Sequence, residues 1–168
     1  MKNLLLIITF TLLAKLSFAQ TVDFDLIHYK GFDFYSTKSE IIKKLGKPQK
    51  VYDPKYECGF LSTDTQDGIF LTLDYGTIKF TGNEKENYVL EQVDFEKDHS
   101  IIVKYGDRNL SYKTDFSELI DIFGDQIKEG FGKKLDGAFI VFSTGYEDGL
   151  RIYITNGKLT RLEYWSPC

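Results

Sequence analysis

Apolar residues recur at helical spacing in two places, each time behind a polar start. In "STKSEIIKKLGKP" (Ser36 to Pro48), Ile41, Ile42 and Leu45 fall on one helical face. In "TDFSELIDIFGDQ" (Thr114 to Gln126), Leu119, Ile120 and Phe123 do the same. Thr37 and Asp115 stand where a side-chain oxygen accepts from the first turn, and Glu40 and Glu118 follow three residues on. That is a capping box written twice. Gly46 and Gly124 supply the left-handed backbone that ends a helix, and Pro48 reinforces the first stop. Helices of about ten residues do not persist alone in water, so each must lie on an apolar surface.

Period-two stretches provide that surface. Ile69, Leu71 and Leu73 alternate with Phe70, Thr72 and Asp74, and Leu150, Ile152 and Ile154 alternate with Arg151, Tyr153 and Thr155. Such alternation marks half-buried strands. Asp67-Gly68 and Asp148-Gly149 open these strands as tight turns; Tyr75-Gly76 and Asn156-Gly157 close them. "VLEQVDFEKD" (Val89 to Asp98), "AFIVFSTG" (Ala138 to Gly145) and "KLTRLEYWS" (Lys158 to Ser166) read as further strands, and a short β-prone run precedes each helix. Helices gathered on one face of an antiparallel sheet make an α+β fold.

The two helices superpose at an offset of 78 residues (Thr37 onto Asp115) and the two strands at 81 (Asp67 onto Asp148). Matched blocks in the same order indicate a duplicated unit. The expected organisation is a leader at 1–19, a first α+β unit at 20–102 and a second at 103–168, two tandem copies sharing one continuous sheet.

"TKSEIIKKLGKP" followed by "GIFLTLDYG" resembles the repeat of the β-lactamase-inhibitor-protein-like and SmpA/OmlA small-lipoprotein superfamily. It is also similar to small immunity-type proteins with a capped helix ending in LGKP. The resemblance implies tandem copies with short helices on one face of a shared sheet, and a protein that binds another protein. The second copy departs from the pattern, with Asp125-Gln126 where Lys47-Pro48 stands in the first. The lipobox of the assembly lipoproteins is missing as well.

The N-terminus changes the setting. Lys2 precedes the apolar run Leu4 to Ala14, and Ser17 and Ala19 are the small residues ahead of a cut before Gln20. This is the layout of a secretory signal peptide, and Lys15 stops the run short of the roughly twenty residues a membrane anchor needs. The expected location is periplasmic or secreted, with no stable membrane insertion after cleavage. The chain has 21 Lys plus Arg and 25 Asp plus Glu; without Lys2 and Lys15 the balance is 19 against 25, or −6. A mildly acidic chain without a basic block is a poor nucleic-acid binder. Cys58 and Cys168 are the two cysteines. In an oxidising compartment they are expected to pair. Closing their separation of 110 residues is worth about 4–5 kcal/mol of chain entropy; the other reading is two unrelated cysteines, one of them a buried thiol.

The chemistry-bearing residues do not assemble. "DHS" (Asp98 to Ser100) sets three triad residue types side by side, but neighbouring positions point apart and a working triad is built in space. "STDTQDG" has Thr63 and Thr65 where a calcium loop needs acids. His28 and His99 are the only histidines, too few for a zinc site. Asp94, Glu96 and Asp98 line one side of the Val89 to Asp98 strand, leaving room for a hydrolase on surface carboxylates. The expectation is no enzyme, no metal and no cofactor; a small-molecule site between the halves stays open.

Aromatic residues make up 15% of the chain. Phe123, Phe142 and Tyr164 are assigned to the core. Strand alternation turns Phe70, Arg151, Tyr153, Arg161 and Trp165 to the other side. Trp, Tyr and Arg dominate protein-interface energetics, so these five residues form the candidate partner-binding face. The expected partner is another protein, an enzyme or a toxin, blocked by occlusion; an envelope assembly subunit is the alternative.

Overall fold

The computed structural model describes residues 21–56, 69–132, 134–145 and 147–167. Residues 1–19, read above as a leader, Cys58, Cys168, Asp67-Gly68 and the calcium-like stretch all lie outside them. After a short 3-10 turn at Phe24–Leu26 come β1 (Ile27–Tyr29), β2 (Phe32–Asp33), β3 (Tyr35–Ser36), α1 (Lys38–Leu45), β4 (Lys50–Tyr52), β5 (Leu71–Asp74), β6 (Ile78–Asn83) and β7 (Asn87–Asp94). The second half carries β8 (Val103–Tyr105), β9 (Arg108–Leu110), α2 (Phe116–Phe123), α3 (Asp125–Phe131), β10 (Gly137–Phe142), β11 (Gly149–Thr155) and β12 (Lys158–Trp165). The architecture is mixed α+β, with mostly antiparallel sheets and three α-helices among the described residues.

The main sheet runs β10-β11-β12-β7-β6-β5-β4, with β3 beside the start of β7. A small four-stranded sheet runs β2-β1-β8-β9. Its seam is antiparallel with Ile27 opposite Tyr105, His28 opposite Lys104 and Tyr29 opposite Val103. On the main sheet the cross-strand register places Leu73, Phe80, Val93, Leu162, Ile152 and Leu150 on one side, and all of them are buried. Helices and small sheet cover this side together. Phe32 of the small sheet meets Phe80 at 5.8 Å, Tyr105 meets Phe123 of α2 at 5.0 Å, and Phe131 of α3 meets Phe139 of β10 at 6.2 Å. Phe24 stacks on Phe34 at 4.4 Å, and Tyr164 closes that cluster.

Both capping boxes form. Thr37 and Asp115 each accept from the third residue of their helix, and Glu40 and Glu118 each accept from the cap N–H. Those bonds hold the Glu40 carboxyl below its usual range. Asp115 is held low by the Ser117 hydroxyl first and the Glu118 N–H second. Gly46 and Gly124 end the two helices at φ 79° and 83°.

Several expectations are corrected. The first of the paired strands begins at Leu71, not at Ile69: Ile69 is 75% exposed, and Phe70 is half-buried against the core instead of facing away. Alternation cannot be extended past the end of a strand, because the pleat stops there. Phe142, assigned to the core, is 48% exposed, since it sits on the side of β10 opposite Val141. β7 ends at Asp94, so Asp94, Glu96 and Asp98 do not share a strand face; Asp94 is buried and paired with Lys97 at 3.0 Å. The strand Ile78–Asn83 and the helix Asp125–Phe131 were not foreseen. The stretch Ile78 to Asn83 is half polar, and Gly124 reads as a stop although it also opens α3.

Candidate binding face and its groove

The reverse side of the main sheet carries the polar half of each strand. Opposite pairs across β11 and β12 are Arg151 with Glu163 and Tyr153 with Arg161; across β12 and β7 they are Glu163 with Gln92 and Arg161 with Asp94. Four of the expected residues, Arg151, Tyr153, Arg161 and Trp165, therefore lie on one side, and Phe70 does not join them as an exposed residue. All four are half-buried.

Glu163 ties the group together. The Tyr153 hydroxyl donates to Glu163 Oε2 at 2.5 Å. The Arg161 guanidinium lies over the Tyr153 ring, 3.9 Å from its centroid, a cation–π stack. Arg161 Nε is 3.1 Å from Glu163 Oε1, but it points off the carboxylate, so this is an ion pair in which the buried Nε makes no hydrogen bond. Arg151 Nη1 stands 3.8 Å from Glu163 Oε2. Trp165 meets Phe142 edge-on at 5.7 Å. Glu163 was legible as outward-facing from alternation; its role as hub depends on the pairing of β11 with β12.

An open groove of about 460 Å³ borders this group, lined by Asp94, Glu96, Ala138, Tyr153, Thr160 and Arg161 among others. The other half of the same sheet side is occupied by the protein's own polar contacts. Thr72 and Thr81 hydroxyls meet at 2.6 Å, Thr81 donates to Glu91 Oε2 at 2.6 Å, and the Tyr56 hydroxyl donates to Glu91 Oε1. Burial, then the Glu91 carboxylate, raises the Tyr56 hydroxyl well above the usual tyrosine range. Tyr56 follows β4 at the sheet edge, yet its side chain reaches Glu91 of β7 at the centre. The open part is the half built by β10, β11 and β12.

Beneath the sheet, Asp148 is buried and accepts from the Ser143 hydroxyl and from Tyr164 Oη, the latter at 2.9 Å. Burial first and Asp148 second raise the Tyr164 hydroxyl. These bonds fix the turn that opens β11. The Asp-Gly pattern revealed the turn but not the buried partners.

No triad assembles at Asp98 to Ser100: Ser100 Oγ donates to Asp98 at 2.6 Å, while the His99 ring stacks on Tyr112 at 3.7 Å. His28 pairs with Asp33 at 3.0 Å. Among the described residues no group of three or more His, Cys, Asp or Glu is placed to hold a metal, and no helix is long and apolar enough to cross a membrane. Compared with models of protein families, with curated proteins and with solved structures, the chain matches none.

Proposed function

We propose that this is an exported protein that binds another protein through the half-sheet carrying Arg151, Tyr153, Arg161 and Trp165, and that it acts by occlusion without chemistry. The observation behind this reading is the Arg161–Tyr153 stack held by Glu163. Its side chains are already ordered, so little rotamer freedom is lost on docking. Arg, Tyr and Trp are the residue types that carry most of the energy in protein interfaces. Export to the periplasm or exterior rests on the leader-like first 19 residues.

We further infer that the two halves are copies of one unit sharing the main sheet. The matched capping boxes, the helix offset and the contribution of one antiparallel meander from each half support this. The likeness to inhibitor and immunity-type proteins belongs to the same proposal.

The test is affinity capture from the native envelope with the processed chain, followed by titration of the captured protein. Tyr153→Ala and Trp165→Ala are each expected to weaken binding by at least about 1 kcal/mol without loss of fold. Unchanged affinity in the double variant would remove this face from consideration. A second reading is favoured by the groove beside Arg161, which is large enough for a small polar ligand. A ligand-induced thermal shift abolished by Thr160→Val, with protein capture unaffected, would favour that reading.

A further inference from the structure

We propose that β10 is the edge through which two copies of this chain pair, extending the main sheet from one molecule into the next. Among the described residues β10 is the last strand on its side of the main sheet, and β11 is the one named strand it pairs with. Its sequence is Gly-Ala-Phe-Ile-Val-Phe, with no charge and no proline. Exposed edge strands normally carry a charge, a proline or a bulge that prevents pairing. β4, which ends the other side of the sheet, begins with Lys50. β10 has none of these guards.

The direction of its free groups follows from two bonds. Phe142 O accepts from Val22 N at 2.9 Å on the outer side, while Ser143 N donates inward to Asp148 O. Outward and inward residues alternate along an antiparallel strand, so Ala138 and Ile140 also turn their N–H and C=O outward. Val22, which bridges Ser143 in parallel, shows that this edge accepts an extended segment, and it covers only the Phe142 end. At the other end the strand starts from Gly137, at φ 131°. Among the described residues nothing pairs with the outer side of Gly137 to Val141, a window with Phe139 at its centre.

A second copy fits that window by symmetry. In an antiparallel pairing centred on Phe139, Ala138 lies opposite Ile140 of the other copy and exchanges both main-chain bonds with it, twice over. The same five residues lie beyond Val22 on each copy, so neither end collides with it. The apolar side chains present no charge of either sign to oppose self-pairing. This pairing rests on the proposed removal of residues 1–19 as a leader. A two-fold axis normal to the sheet keeps both outer faces on one side, so the dimer presents two Arg161–Tyr153 groups together.

The protein, expressed with its leader and purified as processed, is examined by sedimentation over a range of concentrations and by amide exchange. A dimer is expected, weakened at least tenfold by Ile140→Lys and by Ala138→Pro, with thermal midpoints unchanged at concentrations where the parent is monomeric, and unaffected by the Tyr153→Ala, Trp165→Ala pair. Ala138→Pro removes an outward N–H and none that β11 uses. Ala138 and Ile140 amides should be protected in the dimer and exposed on dilution, whereas Phe139 and Val141, which face β11, stay protected in both. A monomer at all concentrations overturns the proposal, including the case in which Ala138 and Ile140 are already protected by the chain's own N-terminal residues. So does a dimer that both edge variants leave intact.

Discussion

Helices α1 and α2 start with the same capping box and then diverge. α1 buries Ile41 fully, leaves Ile42 and Leu45 half-buried and carries Lys43 and Lys44 in its last turn. After Gly46 and Pro48 the chain returns to the exposed edge strand β4. α2 buries both Leu119 and Phe123 and, after Gly124, begins a second helix that buries Ile127 and Phe131. The difference lies in the stop. Lys-Pro after the glycine restricts continuation and leaves no N–H at residue 48. Asp-Gln instead puts an acid in the first turn of a new helix, where it favours the dipole. One half therefore ends at an exposed strand guarded by Lys50 and the other at the uncharged strand β10, backed by α3. The proposed dimer edge belongs to the second.

The largest test of this contrast is side-chain truncation. Phe123→Ala should cost about 3–5 kcal/mol and Ile41→Ala about 2–5, measured by urea denaturation. The second-half variant should be the worse of the two, because Phe123 also supports Tyr105. A larger loss at Ile41 would reverse the comparison.

Next is a contact that no described residue of the first half repeats. A Cβ on Gly130 would lie 2.0 Å from the Phe139 ring, so Gly130→Ala should cost about 1–3 kcal/mol through overpacking. Phe139→Leu in the same molecule should recover part of that loss, and strict additivity would show that the two positions do not touch.

The third test compares the tyrosine–carboxylate pairs, Tyr164 with Asp148 in the core and Tyr56 with Glu91 on the outer face. Both hydroxyls are raised. A group raised on folding gives stability that is full below its unfolded value, near pH 10 for tyrosine, and is lost as pH rises towards the folded value. Alkaline denaturation should therefore steepen above about pH 10, by at most about 1.4 kcal/mol per pH unit for Tyr164. Tyr164→Phe should remove that share, and Tyr56→Phe should remove less because Tyr56 is 44% exposed.

The smallest effect concerns the shared cap. Thr37→Ala should cost about 1 kcal/mol, while Thr37→Asp, which copies the second half, should be close to neutral at pH 7. Glu40 is held low by the Thr37 bonds. Its contribution is present above its unfolded value, near pH 4.3, and lost as pH falls through the lowered one. A Thr37→Ala variant should show less of that acid loss in a pH series of melts.

Local order was legible in the chain itself. The capping boxes, the terminating glycines and the inward sets of Leu150, Ile152, Leu162 and Tyr164 follow from spacing, because a helix repeats every 3.6 residues and a strand every two. The same periodicity turned Arg151, Tyr153, Arg161 and Trp165 to one side. It failed where an element ended without a sequence signal, at Ile69 and after Asp94, and where Gly124 served two helices at once. Tertiary structure alone decided which strands are neighbours. Only the pairing of β11 with β12 brings Tyr153 to Glu163 and Arg161; only the packing of the segment after β4 brings the Tyr56 hydroxyl to Glu91; and only the strand order leaves β10 at an edge. These are contacts between residues far apart in sequence, set by how the layers pack, and no local period encodes them.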